Sequence, residues 1–169
     1  MKEKHVKAYM DTAKIWAKCS SATRLQVGAV VVKDHQILST GYNGMPNGWD
    51  NTCEYKDYCI SRDINGNYFP GTENIYPFED IDETGKYLGR YRMKTKPEVL
   101  HAESNALMKI AKNNGGANNA SLFCTHSPCL ECAKLIYQAG ISEVYYENEY
   151  RSDEGINFLK KTHIIVHKI

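Results

Sequence analysis

The sequence predicts an α/β fold with a largely parallel half, and three observations carry that expectation. The run Val27-Gly28-Ala29-Val30-Val31-Val32 is β-branched and almost wholly apolar, as in a strand buried on both faces. Apolar residues recur at helical spacing before and after it. In the second half of the chain helices stand between most of the short strands, and parallel strands need such crossovers.

The elements follow in order. Val6, Met10, Ala13 and Ala17, with Tyr9 and Trp16 beside them, make residues 4–18 an amphipathic helix. After the apolar strand, Asp34-His35 turns the chain and Gln36 to Thr40 returns it as a hairpin. Residues 41–48 hold three glycines and a proline and read as a loop. From Trp49 to about Glu98 periodicity is lost amid turn pairs (Asn65-Gly66, Pro70-Gly71, Thr84-Gly85) and many tyrosines. A structureless stretch that long is unusual in a compact domain, so it reads as a functional insertion or lid.

Helical spacing returns from Leu100 to Asn113 and stops at Asn114-Gly115-Gly116. Ser121–Thr125 reads as a strand, Cys129–Ala139 as a helix closed by Gly140, and Glu143–Tyr146 as a strand. A short helix over Glu154–Lys161 and a last strand over His163–His167 complete the chain. Its 169 residues suit one domain, 1–169, with an insertion at about 49–98.

Composition excludes several classes. With 42% hydrophobic and 24% charged residues the chain is not disordered. A net charge of +1 lacks the basic excess of a general nucleic-acid binder. There is no apolar run of 18 residues, and the start, Met1-Lys2-Glu3-Lys4-His5, is polar rather than an apolar leader. A cytoplasmic protein with no membrane partner is expected. In that setting the six cysteines point to thiols or metal ligands before disulfides.

The chemistry sits in two pieces, His101-Ala102-Glu103 and Pro128-Cys129-Leu130-Glu131-Cys132. Two cysteines three apart share one face of a helical first turn, where Pro128 suits the first position and Ser127 can cap. A helix N-terminus lowers a thiol pKa, and thiolate is the form that zinc binds. His101 opens the other helix, so facing helix starts offer one imidazole and two thiolates. Three protein ligands with an open fourth position fit a catalytic zinc, and such a cation lowers the pKa of bound water to roughly 7. A structural zinc knuckle is the alternative, but it needs a second C-x-x-C pair, which the sequence lacks. Glu103, two residues past the histidine, is placed to move protons beside the metal.

H-x-E combined with P-C-x-x-C marks the zinc nucleobase deaminases. The chain resembles the cytidine deaminase-like superfamily, and most of all its deoxycytidylate (dCMP) deaminases. The likeness rests on Gln26–Val32, Gly41–Gly48, Leu100–Leu107 and Ser127–Lys134, and spans most of the chain outside 49–98. It implies a three-layer α/β/α sandwich with a five-stranded mixed sheet. It also implies hydrolysis of dCMP to dUMP and ammonia, with His101, Cys129 and Cys132 as zinc ligands and Glu103 as the proton carrier.

Further expectations come from the same likeness. Asn43 would hold the deoxyribose, Arg24 the phosphate, and Ser127 the base or phosphate. The product would feed thymidylate synthesis. Family members are often homohexamers activated by dCTP and inhibited by dTTP, with Mg2+ accompanying a triphosphate, and Gly41, Tyr42 and Gly44 are the candidate effector contacts. Cys53 and Cys59 are candidates for a second, structural zinc completed by Cys19 or an acidic residue, against a default of two free thiols. Cys124 reads as a core thiol, His126 as either a substrate contact or a sheet-end residue, and the tyrosines of 49–98 as packing. The alternatives in function are a dCTP deaminase activity alongside dCMP, a cytosine or adenosine deaminase acting on nucleic acid, and a non-enzymatic zinc module.

Overall fold

The computed structural model describes all residues, 1–169. The elements are α1 (Glu3–Ala17), β1 (Gly28–Lys33), β2 (Gln36–Tyr42), β3 (Glu54–Tyr58), α2 (Thr72–Ile75), β4 (Phe78–Ile81) and β5 (Tyr87–Thr95). Then follow α3 (Ala102–Lys112), β6 (Ser121–His126), α4 (Leu130–Gln138), β7 (Glu143–Asn148), α5 (Glu154–Lys161) and β8 (Ile165–Lys168). The main sheet has five strands in the order β2-β1-β6-β7-β8. β1 runs antiparallel to β2 and β6, whereas β6, β7 and β8 are mutually parallel. The expected α/β sandwich with a five-stranded mixed sheet is therefore present.

Alternation along β1 builds the layers. Val30 and Val32 face α1, packing with Met10, Ala13, Phe123 and Tyr145. Ala29 and Val31 face the opposite way, into a larger core with Ala106 and Ile110 of α3, Ile136 of α4 and Leu159 of α5. At the first turn Asp34 and His35 both have positive φ, 49° and 62°, the twist a two-residue hairpin needs.

Several boundaries differ from expectation. β2 runs on through Gly41 and Tyr42, so the loop is shorter than 41–48. β6 and β7 extend to His126 and Asn148, because each gains a parallel partner there. β8 starts at Ile165, since His163 takes a left-handed φ of 64° as the chain leaves α5.

Residues 49–98 are not structureless. They form a three-stranded antiparallel sheet, β3-β5-β4, with the single helical turn α2. The turn glycines Gly66 and Gly85 were readable, and both have positive φ. The strands were not, because their pairing relies on charge and aromatics rather than apolar alternation. Arg92 meets Asp57 at 2.7 Å and Arg90 meets Glu79 at 2.6 Å. Tyr91 packs against both Tyr58 and Phe78 across the strands.

Gly41 sets how closely α3 approaches the sheet. A Cβ there would lie 2.2 Å from the Ala102 carbonyl oxygen and 2.6 Å from the Ala106 nitrogen. Both are backbone atoms and cannot rotate away. Gly41→Ala is expected to destabilise the protein by about 2 kcal/mol through overpacking. Thermal unfolding should register this as a Tm lower by roughly 4–8 °C.

Candidate metal and nucleotide site

Two helix starts meet at the ends of β1 and β6. His101 is the N-cap of α3 and Cys129 the N-cap of α4, each with extended backbone and neither with a side-chain cap. Cys129, expected inside the helix, takes the cap position expected of Ser127, so Pro128 and Ser127 lie outside the helix. Ser127 does not cap α4. Its hydroxyl accepts the Tyr150 N–H at 2.7 Å, and its N–H donates to Asn148 O at 2.8 Å, which ties the end of β6 to the end of β7.

His101 Nδ1 lies 3.4 Å from the sulfur of Cys129 and 3.4 Å from that of Cys132. Zinc bonds of about 2.0 and 2.3 Å at a tetrahedral angle span roughly 3.5 Å, so the three atoms fit one zinc ion. Among His, Cys, Asp and Glu side chains they form the single converging group in the chain. The Cys129 thiol is held low, at about 3, by hydrogen bonds from Cys132 and His101. Cys132 is pushed up by sharing its proton with Cys129 and by burial. The imidazole is drawn up by Cys129. Cys132 and His101 thus hold protons beside the Cys129 thiolate, in the place where a cation would balance the sulfur charge.

Glu103 is buried, 4% exposed, in the first turn of α3. Burial pushes its carboxyl pKa up, which favours the proton-holding form. A cavity opens beside it, lined by His101, Glu103, Cys129, His126, Asn43 and Tyr150 among others. Cys124, fully buried, belongs to the core as expected.

The other expected residues separate into groups. Asn43 lines the cavity, and its amide also bridges backbone: Oδ1 accepts from Val27 N–H and Nδ2 donates to Leu25 O, both at 2.8 Å. Ser127 also lines the cavity. Arg24 is exposed on an adjoining cleft with Lys94, Lys96 and Arg151, and its Nη1 donates to Thr95 Oγ1 at 3.2 Å. His101, His126, Thr95 and Tyr150 are common to cavity and cleft.

Gly41 is buried beneath α3, whereas Tyr42 and Gly44 line a separate cleft with Asn47, Trp49, Lys109 and Lys112. There Tyr42 stacks on Trp16 with centroids 6.2 Å apart. Cys53 and Cys59 flank β3 on its two sides and form no converging group. A strand rises about 3.3 Å per residue, which sets them roughly 20 Å apart along it, too far to share an ion. The second-zinc expectation is not supported.

Sequence reasoning missed Glu54 and Thr95, both of which line the cavity from the small sheet. Neither belongs to a motif, and the strands that carry them were not recognised.

Fold and site together define a zinc-binding deaminase, and residues 3–148 match the cytidine and deoxycytidylate deaminase zinc-binding region. The chain belongs to the cytidine and deoxycytidylate deaminase family. It is 31% identical over 140 residues to the deoxycytidylate deaminase of Enterobacteria phage T4, covering 79% of this chain and 71% of that one. With the deoxycytidylate deaminase of Schizosaccharomyces pombe it shares 33% identity over 145 residues, covering 86% of this chain but 37% of the longer yeast protein. The crystal structure of dCMP deaminase from cyanophage S-TIM5 in complex with dCMP and dUMP superposes with a TM-score of 0.74 at 38% identity, covering 100% of this chain and 99% of that one.

Proposed function

We propose that the protein hydrolyses dCMP to dUMP and ammonia with one zinc ion held by His101, Cys129 and Cys132. The observation that carries this reading is the convergence of those three ligands, two of which, His101 and Cys129, line one cavity with the buried Glu103. The deaminase relatives, including one solved with dCMP and dUMP, support the choice of substrate. When bound, zinc supplies Lewis-acid activation of the water that attacks C4 of cytosine.

Glu103 does the proton work. Its carboxylate takes one proton from the attacking water and delivers it to N3, then takes the second from the new C4 hydroxyl and delivers it to the exocyclic amine, so that ammonia leaves as the C4–N bond breaks and the C4 carbonyl forms. The buried setting keeps the carboxyl basic enough to hold the proton between steps. The Asn43 and Ser127 walls orient the deoxyribose and the base. Arg24 meets the phosphate, because a guanidinium can grip two phosphate oxygens at once.

Arg24→Ala is expected to raise KM for dCMP tenfold or more while KM for deoxycytidine changes little, as measured by steady-state ammonia release on both substrates. Equal changes on the two substrates would argue against a phosphate contact. The cleft at Tyr42, Gly44 and Trp49, with Lys109 and Lys112 at its edge, is the proposed contact for dCTP and dTTP, with Mg2+, in a homohexamer. The dUMP released would supply thymidylate synthesis.

A further inference from the structure

The small sheet supplies one wall of the cleft that adjoins the cavity. Four cations line that cleft: Arg24, Lys94, Lys96 and Arg151. None of them has a carboxylate within ion-pair distance, whereas Glu149, the one acid in the lining, is taken by Lys168 at 2.6 Å. An uncompensated cluster of this kind, beside the cavity at Glu103, attracts a phosphate.

The same sheet also holds Arg24 in place. Glu54, the buried first residue of β3, accepts from the N–H of Thr23 at 3.2 Å, from the Thr23 hydroxyl at 3.1 Å and from the N–H of Arg24 at 3.3 Å. Thr95, the last residue of β5, accepts from Arg24 Nη1. Backbone and side chain of Arg24 are therefore both fixed by residues of one small sheet. Lys94 precedes Thr95 on β5 and carries the next positive charge along the wall.

We propose that the β3-β5-β4 sheet is the phosphate-recognition wall of this site, in which Glu54 and Thr95 position Arg24 and Lys94 contributes a second cation. The wall sets the preference for nucleotide over nucleoside. It rests on the dCMP reading above and assigns a role to a segment that reading leaves without one. Glu54 and Thr95 act through Arg24 and are positioning residues, whereas Lys94 touches the phosphate itself.

The test compares kcat/KM for dCMP and for deoxycytidine in the zinc-loaded full chain. Lys94→Met is expected to lower the dCMP-to-deoxycytidine ratio about tenfold, through KM rather than kcat, and to flatten the salt dependence of KM for dCMP. Thr95→Val should lower the ratio severalfold, and Thr95→Ser should restore it. Glu54→Gln should act in the same direction; if it fails to fold, the Thr95 pair carries the test alone. A ratio unchanged in both Lys94→Met and Thr95→Val, with Arg24→Ala still raising KM for dCMP, would overturn the wall while leaving the substrate reading intact. Wild-type protein with bound zinc but no turnover of dCMP would overturn the substrate reading instead.

Discussion

Glu103→Gln is expected to lower kcat for dCMP by about 10²–10⁴-fold while zinc content stays at one per chain and the fold is kept. The amide is nearly isosteric and sits in the first turn of α3, so helix and cavity should survive the exchange. What disappears is the capacity to take up and release a proton. Because burial already favours the neutral form of this carboxyl, a neutral amide adds no new charge to the interior. Steady-state kinetics with metal analysis of the same sample decides the matter. A variant that lost its zinc would make Glu103 a ligand, and one that kept full activity would remove it from the chemistry.

Cys132→Ala is expected to abolish zinc binding and turnover together. Cys132 is buried and sits 3.4 Å from His101 Nδ1, so its loss leaves only two of the three converging ligands. Stability should fall as well, since a ligand that binds only the folded state stabilises it by about 4 kcal/mol when its free concentration is a thousandfold above Kd. Metal analysis, thermal unfolding with and without a chelator, and an activity assay give three readouts. Cys124→Ala is the control: this core thiol stands outside the converging group, so zinc should remain. Retention of stoichiometric zinc by Cys132→Ala would refute the ligand set.

The sequence disclosed the converging His101, Cys129 and Cys132 more fully than the rest of the candidate site. His101-x-Glu103 and Cys129-x-x-Cys132 are local spacings, and a helix start converts local spacing directly into shared direction. Their meeting was foreseeable because three ligands must close on one ion. The main sheet was legible for a related reason: Val27–Val32 and the helical repeats around it are apolar patterns with strong periods. Ser127 was misjudged because its partner, the Tyr150 N–H, lies 23 positions away in sequence. The small sheet escaped for a different reason. Tyr55, Lys56, Asp57 and Tyr58 form no apolar alternation, and the ion pairs that hold them cross 24 residues from Lys56 to Asp80 and 35 from Asp57 to Arg92. Glu54 carries no signal in the sequence, since an acid that caps a distant backbone segment looks like any surface acid.

The chain has two tryptophans, and both flank Tyr42: Trp16 stacks on its ring, while Trp49, exposed, lines the same cleft. Tryptophan emission therefore reports on that cleft and hardly at all on events beside Glu103, where a bound zinc, a d¹⁰ ion, would add no absorption bands of its own. A titration followed by this unlabelled glow would register a nucleotide arriving at Tyr42 and stay nearly silent for one arriving beside Glu103, so the first event can be counted apart from the second.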